Sequence, residues 1–76
     1  MNEHELKERI LDLWKEILGV DDIEPDEDYF DAGGDSISAI RMLPELERRL
    51  GVEASVALIF DNPTAEELAR ALTVGS

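Results

Sequence analysis

The sequence predicts an all-α fold: a small four-helix bundle with three main helices and a short helix before the last. Three observations carry this. Apolar residues recur at three- and four-residue spacing in two long segments. Each of those segments runs into a glycine, a usual left-handed terminator. A Pro-Thr-x-x-Glu signal then opens a final helix. At 76 residues the chain reads as one domain, 1–76. Such a chain buries only about 60% of its unfolded surface, so its core is small. The 43% hydrophobic content still suffices for a globular fold, so the acidity does not mean disorder.

The first helix is expected from about Glu3 to Leu18. Leu6, Ile10, Leu13, Trp14 and Ile17 form its apolar stripe, which Leu11 and Leu18 widen. Glu8, Asp12, Lys15 and Glu16 take the opposite face, and Gly19 is the expected cap. His4 falls at an N-terminus expected to fray.

A long loop follows from Val20 to Asp35. From Asp21 onward it holds eight acids, no base, and Pro25. Loops of this length are uncommon in small domains unless functional or pinned by their own anchors. Ile23, Tyr29 and Phe30 are the expected anchors. A calcium loop is not supported: counted from Asp26 or Asp31, the sixth-position glycine and twelfth-position glutamate are both missing.

The second helix is expected from Ser36 to Leu50, capped by Asp35 at its start and ended by Gly51. Projection at about 100° per residue separates two faces. Ala39, Met42, Leu43, Leu46 and Leu50 enter the core. Ile37, Ile40, Arg41, Pro44 and Arg48 form a mixed apolar and basic strip on an otherwise acidic protein. Pro44 cannot donate to the carbonyl of Ile40, so it either kinks this helix or marks it as shorter. Val56 to Phe60 is read as the short helix, although a strand competes for so brief an apolar run. Thr64, with Glu67 reaching back, opens the last helix, continued by Leu68, Ala69 and Leu72.

The net charge of -12 argues against nucleic acid or anionic membrane as partners. It favours solubility and partners rich in Lys and Arg. The absence of cysteine removes disulfides, thiolate metal sites and redox pairs. No apolar run approaches a membrane span, and the N-terminus is acidic where a signal peptide would be basic. A cytoplasmic monomer without a metal site is expected.

Catalysis by the chain alone is not supported. Ser36 lacks the second glycine of a Gly-x-Ser-x-Gly elbow, and His4 is poorly placed to serve as its base. Two-carboxylate chemistry needs a sugar cleft that this length hardly permits. Gly33-Gly34 fits neither a phosphate-binding loop nor a dinucleotide fingerprint. Two readings of Gly33-Gly34-Asp35-Ser36 remain open on the residues. One is an ordinary loop-to-helix junction with a good cap. The other is an acceptor: a serine hydroxyl exposed at a helix start, near free N–H groups that favour an attached phosphate. The glycines would then permit the turn and clear the approach of a modifying enzyme.

Phe30-Asp31-Ala32-Gly33-Gly34-Asp35-Ser36-Ile37 resembles the attachment motif of thiolation domains, the peptidyl carrier proteins of nonribosomal peptide synthetases. The resemblance covers nearly the whole chain, including Trp14-x-x-Ile17-Leu18, the acidic loop with Pro25, and Ile59-Phe60-Asp61-Asn62-Pro63-Thr64. It implies an acyl carrier protein-like bundle in which Ser36 receives 4′-phosphopantetheine from coenzyme A through a magnesium-dependent phosphopantetheinyl transferase. The arm's thiol then holds aminoacyl or peptidyl groups as thioesters, so chemistry belongs to the arm and visiting enzymes. Asp35 would help to orient the transferase and its metal. Ile37, Ile40, Arg41 and Pro44 would dock adenylation, condensation or tailoring and release enzymes through weak, exchangeable contacts.

Carriers of fatty-acid and polyketide synthesis resemble this fold as well, and are the alternative. They usually place an acid five residues after the serine, where this chain has Arg41. Asp35 departs from the histidine of many peptidyl carriers and resembles carriers that stand alone or work beside epimerising domains. Pro44 departs from the usual pattern too. A third reading is an unmodified acidic adaptor for a basic partner.

Overall fold

The computed structural model describes residues 1–74; the final two positions of the expected domain lie outside the described residues. The described residues form four helices and no strand: α1 (Glu3–Leu18), α2 (Ser36–Leu50), α3 (Val56–Asp61) and α4 (Ala65–Val74). Helix α1 packs on α2 and α4, and short α3 bridges α2 to α4. The expected bundle is the observed one.

Helix α1 has the expected bounds. The Asn2 side chain accepts from the Glu5 N–H at 2.8 Å, which caps the first turn. His4 lies, exposed, in the first turn behind this cap. Gly19 closes the helix at φ 67° and donates its N–H to the Lys15 carbonyl, the conformation for which a glycine has no Cβ penalty.

Helix α2 runs through Pro44 to Leu50 as one helix, so the proline does not shorten it. Three things hold the helix around the missing N–H. Ala39, Met42 and Leu46 are fully buried along its inner face. Glu45 bridges both Arg48 and Arg49, and Arg49 reaches across to Glu16 on α1 at 2.6 Å. Gly51 ends it in the left-handed conformation.

The Val56 segment is helical, not extended. Ser55 tips the balance as its cap, accepting from the Leu58 N–H at 3.2 Å, while Ile59 is fully buried. At α4 the Glu67 N–H donates to Thr64 Oγ1 at 3.1 Å, as expected of the box. Its carboxylate, however, accepts from the Thr64 hydroxyl rather than from the Thr64 backbone.

The core is centred on Trp14, Tyr29, Ile10, Met42, Leu46, Ile59 and Leu68, all fully buried. The Trp14 and Tyr29 rings lie 4.9 Å apart at 59°. Trp14 Nε1 donates to Met42 Sδ at 3.1 Å, so the indole N–H is not left unpaired in the interior. The long loop is pinned, as its anchors suggest. Ile23 and Tyr29 are buried, and the partly buried Phe30 stacks on Phe60 at 4.9 Å.

Candidate functional site: the turn into helix α2

The segment before α2 is a compact turn. Asp28 holds it from within, its Oδ1 accepting from Phe30 N–H at 2.8 Å and Asp31 N–H at 3.3 Å. Backbone bonds from Ala32 to Asp28 and from Gly34 to Tyr29 then fold the chain back. Gly33 lies at φ 119°, a conformation that L side chains rarely adopt. Gly34 is required for another reason. A Cβ there would meet the Tyr29 ring, with Cδ2 at 2.5 Å and Cζ at 2.7 Å. Its lack of a side chain therefore lets the turn pack against the core.

Asp35 caps α2 as expected, its Oδ1 accepting from the Ser38 N–H at 2.8 Å. Ser38 completes the box, because its Oγ accepts from the Asp35 N–H at 3.0 Å and donates to the Asp35 carbonyl at 3.0 Å. The Tyr29 hydroxyl donates to the same Oγ at 2.7 Å. The Ser38 N–H bond, above all, holds the Asp35 carboxyl below the ordinary carboxylate range. Burial pushes the Tyr29 phenol up, so it stays a donor.

Ser36 is the first residue of α2 and is exposed. It follows the cap directly, and its hydroxyl has no hydrogen-bond partner among the described residues. One first-turn donor, the Ser38 N–H, is already taken by a carboxylate. The field at Ser36 is accordingly less positive than an uncapped helix start would give.

Ile37 and Ile40 are 63% and 54% exposed, and Arg41, Pro44 and Arg48 are exposed with them. The strip read from the sequence is thus a real surface. Arg48 is committed to Glu45. Arg41 has no salt bridge among the described residues, although its charge acts on the Asp35 carboxyl from a distance. Phe60, on α3, is 48% exposed.

Sequence reasoning missed two supporting residues here. Ser38 went unnoticed because a capping box is sought with Glu or Gln at its third position. Tyr29 is legible as a loop anchor, but nothing in the sequence assigns a task to its hydroxyl. The signal was present in Asp35-x-x-Ser38, a cap whose partner is another short polar side chain.

Residues 8–72 match the family described as phosphopantetheine attachment site. The chain belongs to this family. It is 40% identical over 62 residues to bacitracin synthase 1 of Bacillus licheniformis, a match covering 82% of this chain and 1% of that synthase. It superposes on a free-standing peptidyl carrier protein from an Acinetobacter baumannii secondary metabolic pathway with a TM-score of 0.87. That match has 28% identity and covers 97% of this chain and 95% of the other. A peptidyl carrier protein in complex with the phosphopantetheine transferase Sfp and coenzyme A matches at a TM-score of 0.84. There the identity is 25%, over 91% of this chain and 90% of that one.

The chain is a carrier domain of the peptidyl type, and its covalent cofactor is 4′-phosphopantetheine. The turn fits that group: Ser36 offers an exposed hydroxyl, without a partner among the described residues, at a capped helix start. No helix among the described residues is long and apolar enough to cross a membrane.

Proposed function

We propose that residues 1–76 form one monomeric, non-catalytic peptidyl carrier domain whose acceptor is Ser36. The observation that carries this reading is the free Ser36 hydroxyl at the start of α2, within a chain matched to phosphopantetheine attachment sites. Its oxygen attacks the pantetheine-bearing phosphorus of coenzyme A. A new P–O bond forms, the pyrophosphate P–O bond breaks, and adenosine bisphosphate leaves. The hydroxyl proton passes to a base of the transferase.

In this reading the base is not Asp35, whose Oδ1 is engaged by the Ser38 N–H as the helix cap. That bond holds its carboxyl below the ordinary range, which weakens it as a proton acceptor. The single His4 lies in the first turn of α1. Asp35 instead presents a fixed negative charge beside Ser36, suited to the transferase and its metal. When attached, the group supplies a thiol that carries an aminoacyl or peptidyl unit as a thioester. Ile37, Ile40, Arg41 and Pro44 offer the docking face to adenylation, condensation and tailoring or release enzymes. This reading places the domain with coenzyme A, in the cytoplasm.

The test is intact-protein mass before and after incubation with coenzyme A, magnesium and the transferase Sfp. The wild type should gain one phosphopantetheine. Ser36→Ala should gain none while keeping its helicity, because Asp35 and Ser38 supply the cap. A wild type that folds yet gains no mass returns the chain to the adaptor reading.

A further inference from the structure

Tyr29 touches both flanks of the acceptor. Its ring lies where a side chain on Gly34, two residues before Ser36, would have to go. Its hydroxyl donates at 2.7 Å to Ser38, two residues after Ser36. The ring itself is immobilised in the core, fully buried, with Trp14 at 4.9 Å and Phe30 at 5.3 Å. Ser38 Oγ is saturated: it accepts from Tyr29 and from the Asp35 N–H, and donates to the Asp35 carbonyl. The Asp35 backbone is therefore pinched on both its N–H and its C=O by one oxygen. That oxygen is itself tethered to the core.

A cap needs only the Asp35 and Ser38 bonds. The Tyr29 hydroxyl is surplus to capping, and a phenylalanine would fill the same core space. We propose that Tyr29 is a positioning residue for pantetheine transfer, holding the Ser36 oxygen in register with the core through Ser38. The proposal rests on Ser36 being the acceptor. The transferase meets an oxygen whose place is already set, and less of its binding energy goes into ordering the turn.

Sfp-catalysed transfer from coenzyme A is measured for wild type, Tyr29→Phe, Ser38→Ala, Ser38→Thr and the Tyr29→Phe/Ser38→Ala double variant. Each is assayed well below its own melting temperature. Tyr29→Phe is expected to lower kcat about fivefold or more, with KM for the carrier within about twofold. Ser38→Thr, which keeps the hydroxyl, should retain most of the rate. The double variant should be no slower than Ser38→Ala, because both changes break one tether. Amide exchange at Ser38 and Ala39, whose N–H groups bond to Asp35, should quicken in Tyr29→Phe while the α1 core keeps its protection. Wild-type kcat in fully folded Tyr29→Phe overturns the inference and leaves Ser36 as acceptor. An unmodified wild type overturns both.

Discussion

The Tyr29 N–H donates to the Pro63 carbonyl at 2.8 Å, joining two sequence motifs thirty-four residues apart. The Glu66 N–H returns the tie to the Pro25 carbonyl at 3.1 Å. Between these bonds Phe30 stacks on Phe60, 4.9 Å apart and 3° from parallel. The acidic loop, the turn before Ser36 and the α3–α4 junction therefore form one assembly. Pro63 and Phe60 thus supply a carbonyl and a ring that hold the turn before Ser36 in place.

Phe60→Ala should loosen this assembly. Losing an aromatic pair and part of a half-exposed ring costs roughly 1–2 kcal/mol. Urea denaturation measures it, and amide exchange in residues 28–34 should rise with it. An unchanged midpoint would mean that the stack contributes nothing to holding the loop.

Met42→Leu is a nearly volume-conserving change, yet it removes the acceptor of the Trp14 indole N–H. A buried donor left unpaired costs about 1–3 kcal/mol, and the low end is expected because a thioether is a weak acceptor. Denaturation with tryptophan fluorescence reads both the stability and the indole environment. A variant as stable as wild type would show that the sulfur contact is packing only.

These tertiary ties mark the limit of what the sequence discloses. Helices α1 and α2 were readable with their bounds, because a 3.6-residue stripe, an Asp cap and two terminal glycines all act locally. The exposed strip of Ile37, Ile40, Arg41 and Pro44 followed from the same projection. Val56–Asp61 stayed ambiguous because six residues hold too little periodicity, and the small Ser55 cap decides it. Gly34 was legible as a turn glycine but not as the seat of the Tyr29 ring. Its φ is unexceptional and its requirement comes from a contact. Bonds such as Tyr29 to Ser38 and Tyr29 to Pro63 leave no periodic trace.

Acid should destabilise the domain in an order set by its paired carboxylates. Arg49 lowers the Glu16 pKa below its ordinary 4.5, and Arg48 does so for Glu45. The Ser38 N–H lowers that of Asp35 below 3.8. A group whose folded pKa is depressed contributes stability above its unfolded value, and loses it as pH falls through the folded one. Stability should therefore be level near neutrality, begin to fall below about pH 4.5 and fall further below about pH 3.8. Asp35→Asn keeps a capping oxygen but removes one titration. Its acid limb should be shallower than that of wild type, and parallel curves would show that Asp35 contributes none of the pH dependence.

Pro44 is the residue whose removal should help the fold. It denies the Ile40 carbonyl its helical donor, and interior proline costs about 3 kcal/mol relative to alanine. Proline also stiffens the unfolded chain, which offsets roughly 0.4–1 kcal/mol of that. Pro44→Ala should gain about 2 kcal/mol by this difference and raise Tm by several degrees. The exposed ring, however, belongs to the proposed docking strip beside Ile40 and Arg41. Trimming it should raise KM for an adenylation or condensation partner even as the fold becomes more stable. Thermal melting and partner kinetics on this one variant separate the two roles. Higher Tm with weaker docking places Pro44 in recognition, whereas higher Tm with unchanged docking removes it from the docking face.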